Sequence, residues 1–217
     1  VEVSGSTVSR ATLHNFDEIK RLGVKIGDRV FIEKGGEIIP KIVKPIPEKR
    51  TGNEKNIPVP HECPVCGGRI VKDDEGVALR CLNVRCPAQV KERITHFTSR
   101  DAMDIEGLGE KWIDILVDKK MLFDYGDIYT NITYEKLMEL ERMAETSSQN
   151  LVEAIEKSKN RPLANLIFAL GIRHIGIHTS EILAERFGSI KELGEADEET
   201  LSSINEIGHV MAKSIID

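Results

Sequence analysis

A chain of 217 residues, 40% hydrophobic and 30% charged, has room for one large domain or several small ones and the make-up of a globular protein. No apolar run approaches the ~20 residues of a membrane span, so the sequence offers no spanning helix. The net charge of −6 is unevenly spread: residues 1–100 carry 18 Lys/Arg and 13 Asp/Glu, and residues 101–217 carry 12 and 23. That excludes a uniform basic footprint for nucleic acid, and any such contact in the second half must come from local geometry. The chain opens at Val1 and closes at Asp217 inside a helical pattern, which reads as a piece of a longer protein.

Residues 1 to about 60 are β-rich. A short helix is expected up to Leu22, with Asn15 as its cap and Gly23 as its stop. Arg29-Val30-Phe31-Ile32-Glu33 alternates as a strand, Lys34-Gly35-Gly36-Glu37 reads as a hairpin turn, and Ile38 to Val43 returns. Strand, short helix, strand and hairpin suit part of a small barrel such as an OB-fold, with the remaining strands expected upstream of Val1. Residues 45–60 are rich in proline and charge and read as a linker.

Cys63, Cys66, Cys81 and Cys86 are the four cysteines of the chain, in the pattern C-x2-C-x14-C-x4-C. Two close pairs separated by a loop have the spacing of a structural zinc site, in which four thiolates close the tetrahedron and leave no position for a catalytic water. Cys63-Pro64-Val65-Cys66-Gly67-Gly68 has the form of a metal-binding knuckle. Cys86-Pro87 leads into a helix expected from Ala88 to about Phe97, with proline suited to the first turn. The competing reading is two disulfides; no signal peptide is visible, which favours thiolates and zinc. The nearby Lys72-Asp73-Asp74-Glu75-Gly76 reads as a solvated turn.

Residues 101–217 read as all-helical with an internal repeat. Ile105-Glu106-Gly107-Leu108-Gly109, Leu140-Glu141-Arg142-Met143-Ala144, Ile172-Arg173-His174-Ile175-Gly176 and Ile204-Asn205-Glu206-Ile207-Gly208 each precede an amphipathic helix, at spacings of 35, 32 and 32 residues. This is the helix-hairpin-helix pattern. Two glycines are expected to allow a turn so tight that successive N–H groups point outward at a helix N-terminus, where a phosphate oxygen can sit without a side-chain charge. Such a grip reads DNA backbone and not sequence. Gly107 and Gly109 with Lys111, Gly176 with Arg173 and His174, and Gly208 are the candidate contacts. The second copy has lost both glycines and is expected to be structural.

Several stretches together resemble the bacterial NAD-dependent DNA ligases. Gly5-Ser6-Thr7-Val8-Ser9-Arg10-Ala11-Thr12-Leu13-His14-Asn15 is similar to the opening of that family's OB-fold. Ile26-Gly27-Asp28-Arg29-Val30 and Gly36-Glu37-Ile38-Ile39-Pro40 are similar to its hairpin. Cys63 to Gly68 and Arg80-Cys81 to Cys86-Pro87-Ala88-Gln89 are similar to its zinc finger. Ala102-Met103-Asp104-Ile105-Glu106-Gly107-Leu108-Gly109 and Leu170 to Gly176 are similar to two of its hairpins. The resemblance implies a multi-domain α+β protein: a partial OB-fold β-barrel over 1–60, a four-cysteine zinc finger over 61–88 and an all-α helix-hairpin-helix domain over 89–217.

It also implies the DNA-clamp portion of an enzyme that seals nicks in duplex DNA during replication and repair. In that family AMP passes from NAD to a lysine in a K-x-D-G motif, with magnesium, and then to the 5′-phosphate at the nick. K-x-D-G occurs nowhere in these residues, so the nucleotidyl chemistry is expected in an adenylation domain elsewhere, which would close the clamp, and this portion alone is expected to be inactive. Arg10, Thr12 and His14 become candidate minor-groove contacts, and the zinc module a rigid joint between OB-fold and helices. A monomer in the bacterial cytoplasm, associated with the nucleoid through DNA and not with membrane, is the implied setting. Two other readings compete. One is a non-enzymatic DNA-structure-binding module of a repair or recombination protein, which the Gly5-to-Asn15 stretch and the central cysteines disfavour. The other is a zinc-ribbon protein-interaction module, which the hairpins disfavour.

Overall fold

A computed structural model describes residues 1–3, 5–35, 39–72 and 76–217. The turn expected at Gly36 and Glu37 with Ile38 beyond it, and the acidic core of the turn expected at Asp73, Asp74 and Glu75, lie outside the described residues. The chain divides into two compact units, Val1–Asn83 and Val84–Asp217. No helix among the described residues is long and apolar enough to cross a membrane.

The first unit is built from short strands: β1 (Glu2–Val3), β2 (Ser6–Thr7), β3 (Lys25–Ile26), β4 (Val30–Gly35), β5 (Ile39–Pro45), β6 (Lys55–Asn56), β7 (Ile70–Lys72) and β8 (Leu79–Cys81). They pair two by two and antiparallel, as β1-β2, β3-β6, β4-β5 and β7-β8. A parallel bridge between Thr12 and Lys41 adds one further link. In the β4-β5 ladder Phe31 faces Lys44 and Ile32 faces Ile42, so Val43 is the extra residue of a bulge. The expected helix is present as α1 (Phe16–Leu22): the Asn15 side chain accepts from the Glu18 N–H, and Gly23 ends it at φ 63. Asparagine caps because its side-chain oxygen satisfies a first-turn amide that lacks a partner in the helix. Glycine stops the helix because it takes the left-handed conformation without a Cβ clash.

One buried ion pair holds the turn after α1. Asp28, whose side chain is fully enclosed, accepts from Arg50 at 2.6 and 2.7 Å and from the Lys25 N–H at 2.7 Å, while Arg50 also donates to the Gly23 carbonyl at 2.8 Å. The Arg50 guanidinium holds the Asp28 carboxyl down to about 2, from an ordinary 3.8, against the opposing effect of burial. A depressed carboxyl stabilises the fold at any pH above its unfolded value and stops doing so as pH falls through the folded one. The first unit is therefore expected to lose stability between pH 3.8 and about 2. Asp28→Asn should be less stable at pH 7 and flatter across that window, read from thermal melts at pH 7, 4 and 2. Parallel pH profiles for the two proteins would show that the pair contributes nothing.

The second unit is helical: α2 (Pro87–Thr98), α3 (Glu110–Asp118), α4 (Gly126–Thr130), α5 (Tyr134–Met138), α6 (Glu145–Ser158), α7 (Leu163–Ala169), α8 (Ile177–Phe187), α9 (Ile190–Gly194), α10 (Glu198–Ser202) and α11 (His209–Ile216). Two apolar clusters organise it. One gathers Ile94, Leu108, Ile113, Leu116, Leu137 and Leu151 with their neighbours, and the other gathers Ile167, Ile175, Leu183, Leu201 and Ile207. Each hairpin sends its fourth residue inward: Leu108, Met143, Ile175 and Ile207 are all buried. That apolar anchor is why the repeat keeps its shape while its exposed positions vary.

Candidate metal centre and nucleic-acid interface

The ligand atoms of Cys63, Cys66, Cys81 and Cys86 all lie within 4.8 Å of one another. A tetrahedral zinc with Zn–S near 2.3 Å requires sulfurs ~3.8 Å apart, and Cys66 and Cys81 sit at 3.6 Å. A disulfide would need ~2.05 Å. The local backbone is shaped around the sulfurs. Gly67 turns back at φ 68, and its N–H donates to the Cys63 carbonyl at 2.9 Å. The Gly68 N–H points at Cys66 Sγ and the Asn83 N–H at Cys81 Sγ, both at 3.4 Å. A Cβ on Gly68 would stand 3.1 Å from Asn83 Cβ and 3.2 Å from Cys66 Sγ, a tight fit that would press the knuckle away from its partner pair by a few tenths of an ångström. Cys86 is 1% exposed and stands at the N-cap of α2, with Pro87 in the first turn.

The Asn83 N–H favours the Cys81 thiolate, yet burial and the thiols of Cys66 and Cys63 outweigh it and push the group up to about 11. Four sulfur ligands gathered this closely are a donor set that suits one soft divalent cation. The donor set, the spacing and the N–H···S bonds fit a structural zinc held by Cys63, Cys66, Cys81 and Cys86.

The four hairpins share one backbone. In each, the N–H of the buried fourth residue donates to the carbonyl of the first: Leu108 to Ile105 at 3.3 Å, Met143 to Leu140 at 3.2 Å, Ile175 to Ile172 and Ile207 to Ile204 at 3.1 Å. The third residue is left-handed in every copy: Gly107 at φ 88, Arg142 at 69, His174 at 67 and Glu206 at 69. The fifth caps the next helix in an extended conformation: Gly109 at φ −83, Ala144 at −86, Gly176 at −96 and Gly208 at −81. None of these four caps accepts a first-turn amide through its own side chain.

The glycine requirement of the turn is narrower than the two-glycine pattern suggests. The turn needs a left-handed residue once, at the third position, and three copies achieve it without glycine. The second copy keeps the turn despite losing both glycines. At the fifth position φ is open to any residue, and a Cβ on Gly109, Gly176 or Gly208 would meet nothing within 4 Å. Among the described residues no atom crowds these three positions. Bare backbone at an open surface suits a partner that comes close to the amides.

The hairpins differ in charge. The third presents Arg173, His174 and, as the second residue of α8, His178, with no acid from 172 to 179. The first offers exposed Lys111 beside Glu106 and Glu110, and the second is flanked by Glu141 and Glu145. Glu206 of the fourth lies 3.0 Å from His178 Nε2. In the first unit Arg10 and His14 are exposed. Thr12 is tied into the sheet, its hydroxyl accepting from the His14 N–H at 2.9 Å, and His14 is held at φ 60. Sequence reading passed over Thr98. Its buried hydroxyl donates to the Leu108 carbonyl at 3.3 Å and steadies the first hairpin, a contact ten residues away with no motif to announce it.

Three family models match the chain: the NAD-dependent DNA ligase OB-fold domain over residues 1–54, the NAD-dependent DNA ligase C4 zinc finger domain over 62–88, and a helix-hairpin-helix motif over 165–217. Among curated proteins it is 52% identical to a DNA ligase of Geobacter sulfurreducens, a match covering 100% of this chain and 32% of that protein. DNA ligases of Methylacidiphilum infernorum and Listeria innocua are 53% and 50% identical, each over 100% of this chain and 31% and 32% of their own length. The chain thus spans about a third of the length of these relatives.

Proposed function

We propose that this chain, which along its whole length corresponds to part of the NAD-dependent DNA ligases, is the portion of such an enzyme that clamps the nicked duplex. The observation that carries the reading is the bare, uncapped backbone at Gly109, Gly176 and Gly208, which no atom among the described residues crowds. Outward amides at a helix N-terminus bind a phosphate oxygen whatever the base. They also reconcile a net charge of −11 over residues 101–217 with DNA binding, because the grip does not depend on bulk charge.

The remaining parts follow from that role. Lys111, Arg173 and His174 add charge beside the amides, and Arg10, Thr12 and His14 rest on the minor groove near the nick. Ala144 puts a Cβ where the other copies leave open backbone, so the second hairpin is scaffold. Domain bounds near 60 and 88 separate OB-fold, zinc finger and hairpins. The whole enzyme joins the nick with NAD and magnesium, and its adenylation domain, which these residues do not include, closes the ring. It acts as a monomer on cytoplasmic DNA.

Fluorescence anisotropy against nicked and intact duplexes of one sequence, across a salt series, tests this. If the clamp neutralises ~6–10 phosphates, affinity falls ~10³–10⁵-fold between 50 and 200 mM salt. Tighter binding to the nicked duplex is expected. No binding at low salt would overturn the reading.

A further inference from the structure

The third hairpin is the most favourable to phosphate by charge, and one side chain from a distant helix holds it. His96 lies in the last turn of α2, the helix capped by the zinc-site residue Cys86. Its Nε2 donates to the Phe168 carbonyl at 2.8 Å, across 72 residues of sequence. The same oxygen accepts from the Gly171 N–H at 3.1 Å, so the residue that opens the hairpin hangs from the carbonyl that His96 grips. The imidazole also packs edge-on against the Phe168 ring, with centroids 4.8 Å apart. Gly171 is left-handed at φ 65, and a Cβ there would press within 3.3 Å of His96 Cδ2. Hydrogen bond, ring contact and close backbone approach converge on one imidazole. Five residues beyond Gly171 stands Gly176, the bare cap of α8.

We propose that His96 is a positioning residue for DNA binding: through Phe168 and Gly171 it sets the third hairpin so that the amides after Gly176 face a phosphate. This rests on the phosphate-grip reading above. The residue does not touch DNA. Its contribution is the register of the hairpin relative to α2, and the donor that matters is Nε2.

The zinc-loaded protein is compared with H96Q, H96N and H96F by duplex anisotropy. A glutamine amide reaches the place of Nε2, whereas an asparagine amide reaches only that of Nδ1. H96Q is expected to bind close to wild type, and H96N and H96F to lose roughly three- to tenfold, the scale of one hydrogen bond. A double-mutant cycle locates the effect. H96F should cost nothing further once Gly176→Val has disabled the third hairpin, and should keep its full cost when Gly109→Val has disabled the first. Equal costs in both backgrounds, or H96Q as weak as H96N, would overturn the proposal. Hydrogen exchange of the Ile175 amide, which donates to the Ile172 carbonyl, without DNA separates this from the grip reading. Faster exchange in H96N, restored in H96Q, while no variant binds DNA would fault the grip reading alone, and unchanged exchange refutes the positioning role.

Discussion

Cys81→Ser is expected to strip the metal centre. Wild-type protein should carry one zinc per chain by mass spectrometry of the metal, and the variant a small fraction of that. Three sulfurs cannot complete the tetrahedron that 4.8 Å spacing prepares. A serine hydroxyl is a poor ligand at neutral pH because it stays protonated. Apparent binding energies for structural zinc are of order 10–16 kcal/mol in small zinc domains, so the loss is large wherever the metal organises the fold. Here the effect should be local. The knuckle from Cys63 to Gly68 and the hairpin of β7 and β8 have few buried apolar residues of their own. The helical unit has two apolar clusters, with Ile94, Leu116, Ile167 and Leu183 each at 0% exposure, and should keep its helix signal. Increased proteolysis confined to residues 61–86, with far-UV circular dichroism nearly unchanged, is the expected pattern. Full metal content in the variant would mean that the centre is not what the four sulfurs describe.

What could be read from sequence is what sequence encodes locally. Asn15 and Gly23 delimit α1 because capping is a matter of one side chain and one backbone angle. The metal centre was legible because four soft ligands in two close pairs have few other uses. The expected helix after Cys86 runs from Pro87 to Thr98, and α3, α6, α8 and α11 follow the four repeats as the spacing implied. At the hairpins local preference differs from necessity. Arg142, His174 and Glu206 occupy a conformation costing roughly 1–2 kcal/mol for a residue with a Cβ. The cost is met by the buried Met143, Ile175 and Ile207 that follow them, which fix the turn from the core side. Loss of glycine there therefore does not report loss of the hairpin. The tie between His96 and Phe168 was illegible for another reason. It joins residues 72 apart, and no local spacing relates them.

The corrected role of glycine yields the second large effect, on binding and not on folding. Gly176→Val should preserve the structure, because φ −96 and ψ −177 are extended backbone that a β-branched residue favours, and the site has no neighbour within 4 Å. Its isopropyl group would stand where a phosphate must approach the amides of α8. Losing a charge-assisted contact of this kind costs about 1.5–3 kcal/mol, roughly ten- to a hundredfold in affinity. The loss should be the same on every duplex sequence, since backbone contacts carry no base information. The salt slope should also fall by about one phosphate. Gly109→Val should behave alike. Gly107→Val should not: at φ 88 it strains the turn, so stability falls along with affinity. Arg173→Ala should weaken binding more than Arg142→Ala, because Arg142 sits between Glu141 and the Ala144 cap on a hairpin whose surface is already closed. A thermal melt beside each titration separates the two glycine positions. Unchanged affinity in the Gly109→Val, Gly176→Val double variant would mean that the open backbone at these tips serves something other than DNA.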